Sequence, residues 1–121
     1  MGLISTDKGD VSFDSVEEAV GIIRGIPRDL SEAWISKDKP YPCLAICING
    51  EYAAISYFPK EDGEMWLSYN AGNTKEVIFS AGGEEWKPDP YAVIDFEDAV
   101  KCVEEFLNTM EKPARIKWQQ M

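Results

Sequence analysis

The chain has 121 residues, 45% hydrophobic and 28% charged, and its 22 acidic against 12 basic side chains give a formal charge of -10. That size and balance suit one globular domain over residues 1–121, and no run approaches the roughly 18 consecutive apolar residues of a membrane span. A surface this acidic repels phosphate backbones, which argues against direct nucleic-acid binding; it keeps a small protein dispersed, and it also steers association with a basic protein partner.

The opening MGLISTDKGD has neither the basic start nor the apolar core of a signal peptide, and three cysteines cannot close into a complete disulfide set. Both features predict a cytoplasmic protein. The chain has no histidine. That removes the commonest general base, any Ser-His or Cys-His nucleophile pair, and most zinc sites that mix Cys with His. The expectation is a protein that is not an enzyme and needs no cofactor or metal.

In chain order, Val16, Ala19, Val20, Ile23 and Ile26 recur at helical spacing over 14–26, with Ser15 and Glu18 placed as a capping box and Gly25 and Pro27 as the stop. The stretch to Pro42 is polar and proline-punctuated, which predicts an irregular connection with at most one short turn. Two runs of β-formers, CLAICI and EYAAISYF, flank Asn49-Gly50 and predict an antiparallel hairpin. Asp62-Gly63 then turns the chain into a third strand over 65–69 beside 52–58, and KEVIFSA reads as a fourth. From Asp95, expected as an N-cap, the residues Phe96, Ala99, Val100, Val103, Phe106, Leu107 and Met110 form an apolar stripe that defines a second helix, stopped by Pro113. The tail, with Ile116 and Trp118 alternating with polar residues, predicts a last strand at the sheet edge. The fold class is therefore α+β: a central antiparallel β-sheet of about four to five strands with two main helices packed on it.

Few residues offer chemistry. Cys43 and Cys47 on one strand lie roughly 13 Å apart, beyond the roughly 7 Å that a disulfide spans, so they and Cys102 read as buried core thiols. The acidic clusters Glu17-Glu18, Glu61-Asp62 with Glu64, Glu84-Glu85, and Asp95 with Glu97 and Asp98 lack the spacing of a calcium loop and suit turns and helix ends. Gly82-Gly83 is followed by two glutamates rather than a phosphate-binding lysine, so it reads as a turn. Trp86, in a polar proline-rich loop, is placed to anchor a partner. If strand-end loops gather on one rim, Glu61, Asp62, Glu64, Glu84, Glu85, Trp86 and Asp89 form the candidate binding surface.

The segment over 77–120 carries, in order, a strand, Gly82-Gly83, the Pro88–Pro90 loop, a helix start over Ile94–Ala99, Glu105-Phe106-Leu107, Pro113, and a closing Ile116-x-Trp118. In order and spacing it resembles the first-numbered immunity protein family of bacterial polymorphic toxin and contact-dependent growth inhibition systems. The likeness is architectural only over the meander from Cys43, and Glu84-Glu85-Trp86-Lys87 is more charged than the family pattern at that loop. The resemblance implies an α+β protein made beside a cognate toxin, which it binds and blocks. It also implies toxins that are nucleic-acid deaminases or nucleases, hence a basic partner acting on nucleic acid. An acidic adaptor or chaperone-like protein-binding module unrelated to toxins is the alternative.

Overall fold

A computed structural model describes all of residues 1–121. In chain order the elements are β1 (Gly2–Thr6), β2 (Gly9–Phe13), α1 (Val16–Arg24), β3 (Ser31–Ser36), β4 (Cys43–Asn49), β5 (Tyr52–Phe58), β6 (Trp66–Tyr69), β7 (Phe79–Ala81), β8 (Glu84–Trp86), a single 3-10 turn (Pro90–Ala92), β9 (Ile94–Asp95), α2 (Phe96–Thr109) and β10 (Lys117–Gln120). One eight-stranded sheet runs in the spatial order β10-β6-β5-β4-β3-β1-β2, and β9 pairs with the start of β5. Every pairing in it is antiparallel.

Strand alternation decides which residues meet the helices. In β4, Leu44, Ile46 and Ile48 join the main core with Ile35 of β3 and Ile55 of β5. Cys43, Ala45 and Cys47 therefore face the other way. Helix α2 lays Phe96, Ala99, Val100, Val103, Phe106 and Leu107 on the first face, and α1 adds Ala19 and Ile23. Each such side chain, fully buried, contributes about 1.5–3 kcal/mol of hydrophobic stabilisation. A two-pronged contact, Arg24 Nη1 and Nη2 to the Glu97 carboxylate at 2.6 and 2.9 Å, bridges the two helices. No helix is long and apolar enough to cross a membrane.

The helix ends follow the capping logic with two corrections. Ser15 Oγ accepts from the Glu18 N–H at 3.1 Å, while the Glu18 carboxylate reaches back to the N–H of Asp14 (2.7 Å) rather than that of Ser15. Asp95 occupies the N-cap position of α2, but its side chain makes no capping bond; the Phe96 N–H is taken instead by the Glu51 carbonyl at 2.8 Å. At the other end the left-handed Met110 ends α2 before Pro113, and Lys37 Nζ donates to the orphan carbonyl of Leu107 at 3.1 Å.

The sheet is larger than the predicted four to five strands because it includes four that the sequence pattern does not predict: β1, β2 and β3, which lie where the sequence is polar, and the two-residue β9 just ahead of α2. β1 and β2 form a hairpin of short polar strands whose order comes from pairing, with Ile4 and Phe13 as their buried contributions. β3 replaces the expected irregular connection and sits in the middle of the sheet, between β1 and β4. Its period-2 pattern is carried by only Ala33 and Ile35, flanked by Ser, Glu and Trp. The expected fourth meander strand is also corrected. Only Phe79–Ala81 of that run is extended, and it pairs with β8 in a separate two-stranded sheet, since the free edge of β6 is occupied by β10.

Candidate protein-binding groove on the helix-free face

The second face of the sheet is covered only in part, by the β7–β8 hairpin with Val77 ahead of it and Val93 after the 3-10 turn. Gly82 and Gly83 take φ of 61° and 82°, the left-handed pair that a tight two-residue hairpin turn requires. The turn is fastened to the sheet, because the Gly82 N–H donates to the Glu32 carboxylate of β3 at 3.0 Å. Further back, Asn49 Nδ2 donates to the Ile78 carbonyl at 2.7 Å. Between these ties Val77 and Phe79 bury against Cys47, Ala54 and Val93, forming a small second core. The Trp86 ring packs 6.2 Å from that of Phe79.

Beside the hairpin the sheet stays open as a groove of about 440 Å³. Its floor is Ala45 and Cys47 of β4, Ser56 of β5 and Leu67 of β6. One wall is aromatic: Trp34 stacks on Phe58 with ring centroids 5.3 Å apart and planes inclined by 20°. The opposite wall is the hairpin, with Ala81, Glu84, Glu85 and Trp86. Trp34 is 41% exposed, a large apolar surface to leave in water.

The groove is acidic at its rim and neutral at its floor. Glu32, Glu84 and Glu85 line it, and no lysine or arginine does. None of the three joins the protein's ion pairs. Burial pushes the Cys47 thiol up to about 12, with the charge of Glu32 adding to the effect, and the neighbouring Cys43 up to about 11. Both therefore stay protonated and poorly nucleophilic at neutral pH. All three cysteines are buried and free.

Three of the seven residues selected from sequence meet in this groove: Glu84, Glu85 and Trp86. Trp86 ends a strand and is half-buried, instead of standing free in a loop. Glu61, Asp62 and Glu64 lie in the β5–β6 connection. There Asp62 accepts from the Glu64 N–H at 3.0 Å, with Lys60 Nζ 3.7 Å away, and Glu64 accepts from the Trp66 indole N–H at 3.0 Å. Only the next residue, Met65, reaches the groove. Asp89 accepts from the Tyr91 N–H at 3.1 Å and starts the 3-10 turn. That turn is tied to the far end of β6 by the bond from Asn70 N–H to the Tyr91 carbonyl. The seven thus do not share one rim, because the β5–β6 connection and the 3-10 turn lie at opposite ends of β6.

Sequence reasoning missed Glu32, Trp34, Ser56 and Phe58. The signal for the first two was the alternation in SEAWIS, which puts Glu32 and Trp34 on the face opposite Ala33 and Ile35. A second concavity of about 370 Å³ lies between the end of β6 and the start of α2, and its one acid, Asp98, is engaged by Arg115 Nη2 at 3.2 Å. No cluster of three His, Cys, Asp or Glu side chains stands close enough to hold a metal ion. No family model matches this chain, and no curated protein sequence matches it.

Proposed function

We propose that this protein is an immunity protein, working in the cytoplasm, that binds a basic toxin domain acting on nucleic acid and neutralises it by occlusion. The observation that carries this reading is the groove on the helix-free face. It combines a stacked aromatic pair whose Trp34 is exposed with carboxylates that join no ion pair, and no lysine or arginine of the chain lines it. Exposed aromatics set in a concave surface supply the buried area of a binding hot spot, and the surrounding acids speed encounter with a basic partner. The formal charge of -10 acts in the same direction over the whole surface. The resemblance of 77–120 to the immunity family supports the reading independently, and that segment includes the hairpin that walls the groove.

Occlusion requires stoichiometric binding and no turnover. Groove acids and aromatics would take the place that nucleic acid occupies on the toxin. The test is co-expression with the C-terminal domain of any large secreted protein found to be encoded beside this gene, scored by survival and co-purification. Survival with a 1:1 complex is the expected result. Death of the cells and no complex would reject the proposal in favour of an acidic adaptor with another partner. Glu84→Lys with Glu85→Lys is expected to slow association at low salt.

A further inference from the structure

We infer that the groove is a receptor for an arginine side chain presented by the partner protein, a reading that rests on the proposed binding of a basic partner and specifies what enters the site. Three other aromatic rings in this protein are already covered by its own cations. Arg28 lies 3.6 Å over Phe96, Lys112 lies 3.5 Å over Trp66, and Lys75 lies 4.8 Å over Tyr52. Trp34 is the one exposed tryptophan, and no cation of the chain covers it. Its stacking on Phe58 holds the indole as a fixed flat platform, so its free face needs no reordering to accept a planar cation.

The polar groups around that platform match a guanidinium better than an ammonium. Glu84 and Glu85 line the groove with no ion-pair partner. Glu32 is held in place through one oxygen by the Gly82 N–H, which leaves its second oxygen to accept. On the floor, Ser56 is 9% exposed and lines the groove, and its hydroxyl bonds to no protein group. No fully enclosed side-chain polar atom lacks a partner in this protein, so that hydroxyl opens to the groove. A ligand entering here meets an aromatic plane, carboxylates at the rim and one buried acceptor. Arginine offers a plane to stack and donors fanned in that plane to reach several acceptors at once. Lysine offers a compact, strongly hydrated charge that satisfies fewer of them.

The experiment titrates the full chain with Nα-acetyl-arginine amide, and in parallel with the lysine and glutamine analogues, while following the indole N–H resonances of all four tryptophans. Saturable movement of the Trp34 signal is expected with arginine, less with lysine and none with glutamine. Trp34→Ala, with binding read from the signal of Trp86, which lines the same groove, is expected to weaken arginine binding about fivefold to thirtyfold, the range for loss of a partly desolvated cation–π contact. Glu85→Gln should weaken it further, and Trp34→Phe should retain most of it. Equal responses to arginine and glutamine would overturn the inference, as would a Trp34 signal that stays still while arginine binds elsewhere. An unmoved Trp118 signal in each variant checks that the fold is intact. Co-expression separates this inference from the reading beneath it. If the wild type and the Trp34→Ala, Glu85→Gln double variant both protect cells fully, the arginine receptor is overturned and immunity stands. If the wild type gives no protection while the titration still selects arginine through Trp34, immunity fails and the receptor stands.

Discussion

Truncating Phe79 to alanine tests whether the groove wall is a separate cooperative unit. Phe79 is fully buried, yet it belongs to the small core with Cys47, Ala54, Val77 and Val93 and not to the main core under the helices. An aromatic side chain buries roughly 150–250 Å², which at about 25 cal/mol per Å² gives an upper estimate of about 4–6 kcal/mol. Measured Phe-to-Ala losses of about 3–5 kcal/mol agree with it. Beyond Phe79, the hairpin is attached by the partly buried Ala81 and Trp86, by Val77 just ahead of it, and by two hydrogen bonds, Gly82 to Glu32 and Asn49 to Ile78. Each bond contributes about 0.5–1.5 kcal/mol net, so removing Phe79 takes away the largest single part of the hairpin's hold on the sheet. The expected outcome is local release. Hydrogen exchange at the amides of 79–86 should accelerate by about two to four decades, while the β4 and β5 amides keep most of their protection. The equivalent truncation of Phe106, in the main core, should lower protection everywhere. Equal acceleration in β4 and in the hairpin of the Phe79 variant would refute the separation, and with it the idea that the wall can be loosened without unfolding the sheet.

Ser68 is completely buried and pins two elements, donating to the Ala92 carbonyl at 2.6 Å and accepting from the Ile55 N–H at 3.1 Å. Ser68→Ala strands two backbone groups and should reduce the urea unfolding free energy by about 2–4 kcal/mol; a loss under about 1 kcal/mol would contradict this accounting. The bond from Arg24 holds the Glu97 carboxyl below its ordinary value of 4.5. Its stabilising contribution is thus complete above that pH and fades as pH falls through the lowered value. Glu97→Gln should therefore lower the thermal midpoint at pH 7 and make less difference at pH 3, whereas an unchanged gap would refute the linkage. Burial raises all three thiols, Cys43 to about 11 and Cys47 and Cys102 to about 12. They should resist a thiol reagent at pH 8 until the protein unfolds, and stability should decline above pH 9, where unfolded thiols ionise and folded ones do not.

The legible parts of this fold are those where one side of an element is uniformly apolar. The α2 stripe from Phe96 to Leu107 and the CLAICI and YAAISYF strands carry their burial in the sequence itself. Strand β3 does not, since its only inward residues are Ala33 and Ile35, and its place in the sheet comes from pairing on both sides. The hairpin misled for a related reason. Val77 and Phe79 alternate as a sheet strand's residues would, but alternation does not say whether a segment pairs at an edge or lies across a face. Register across strands was equally hidden. Trp34 and Phe58 are 24 positions apart in sequence and meet only because Ser36 and Phe58 both flank Cys43 in the ladder. The acids Glu84 and Glu85 were visible as a pair, whereas the platform they serve was not.

The groove follows from how unevenly the two faces of the sheet are covered. Two helices shield the first face, while the short β7–β8 hairpin packs over β4 and β3 and is tied to β3 at its turn. A central strand such as β4 needs apolar residues on both faces to be buried, and Cys43, Ala45 and Cys47 meet that need with small side chains. Small residues in the floor leave room above them, so the larger rings of Trp34 and Phe58 stand up as a wall instead of sinking into a core. Filling the floor should therefore close the site without touching its rim. Ala45→Leu places a larger side chain in the space over β4, between the aromatic wall and the hairpin. Because that space is open to solvent, the overpacking cost of about 1–3 kcal/mol seen in closed cores should be largely absent. The variant should unfold at a denaturant midpoint close to the wild type's and still lose partner binding. If it retained full binding, the partner would contact the rim alone and the depth of the groove would have no role in recognition.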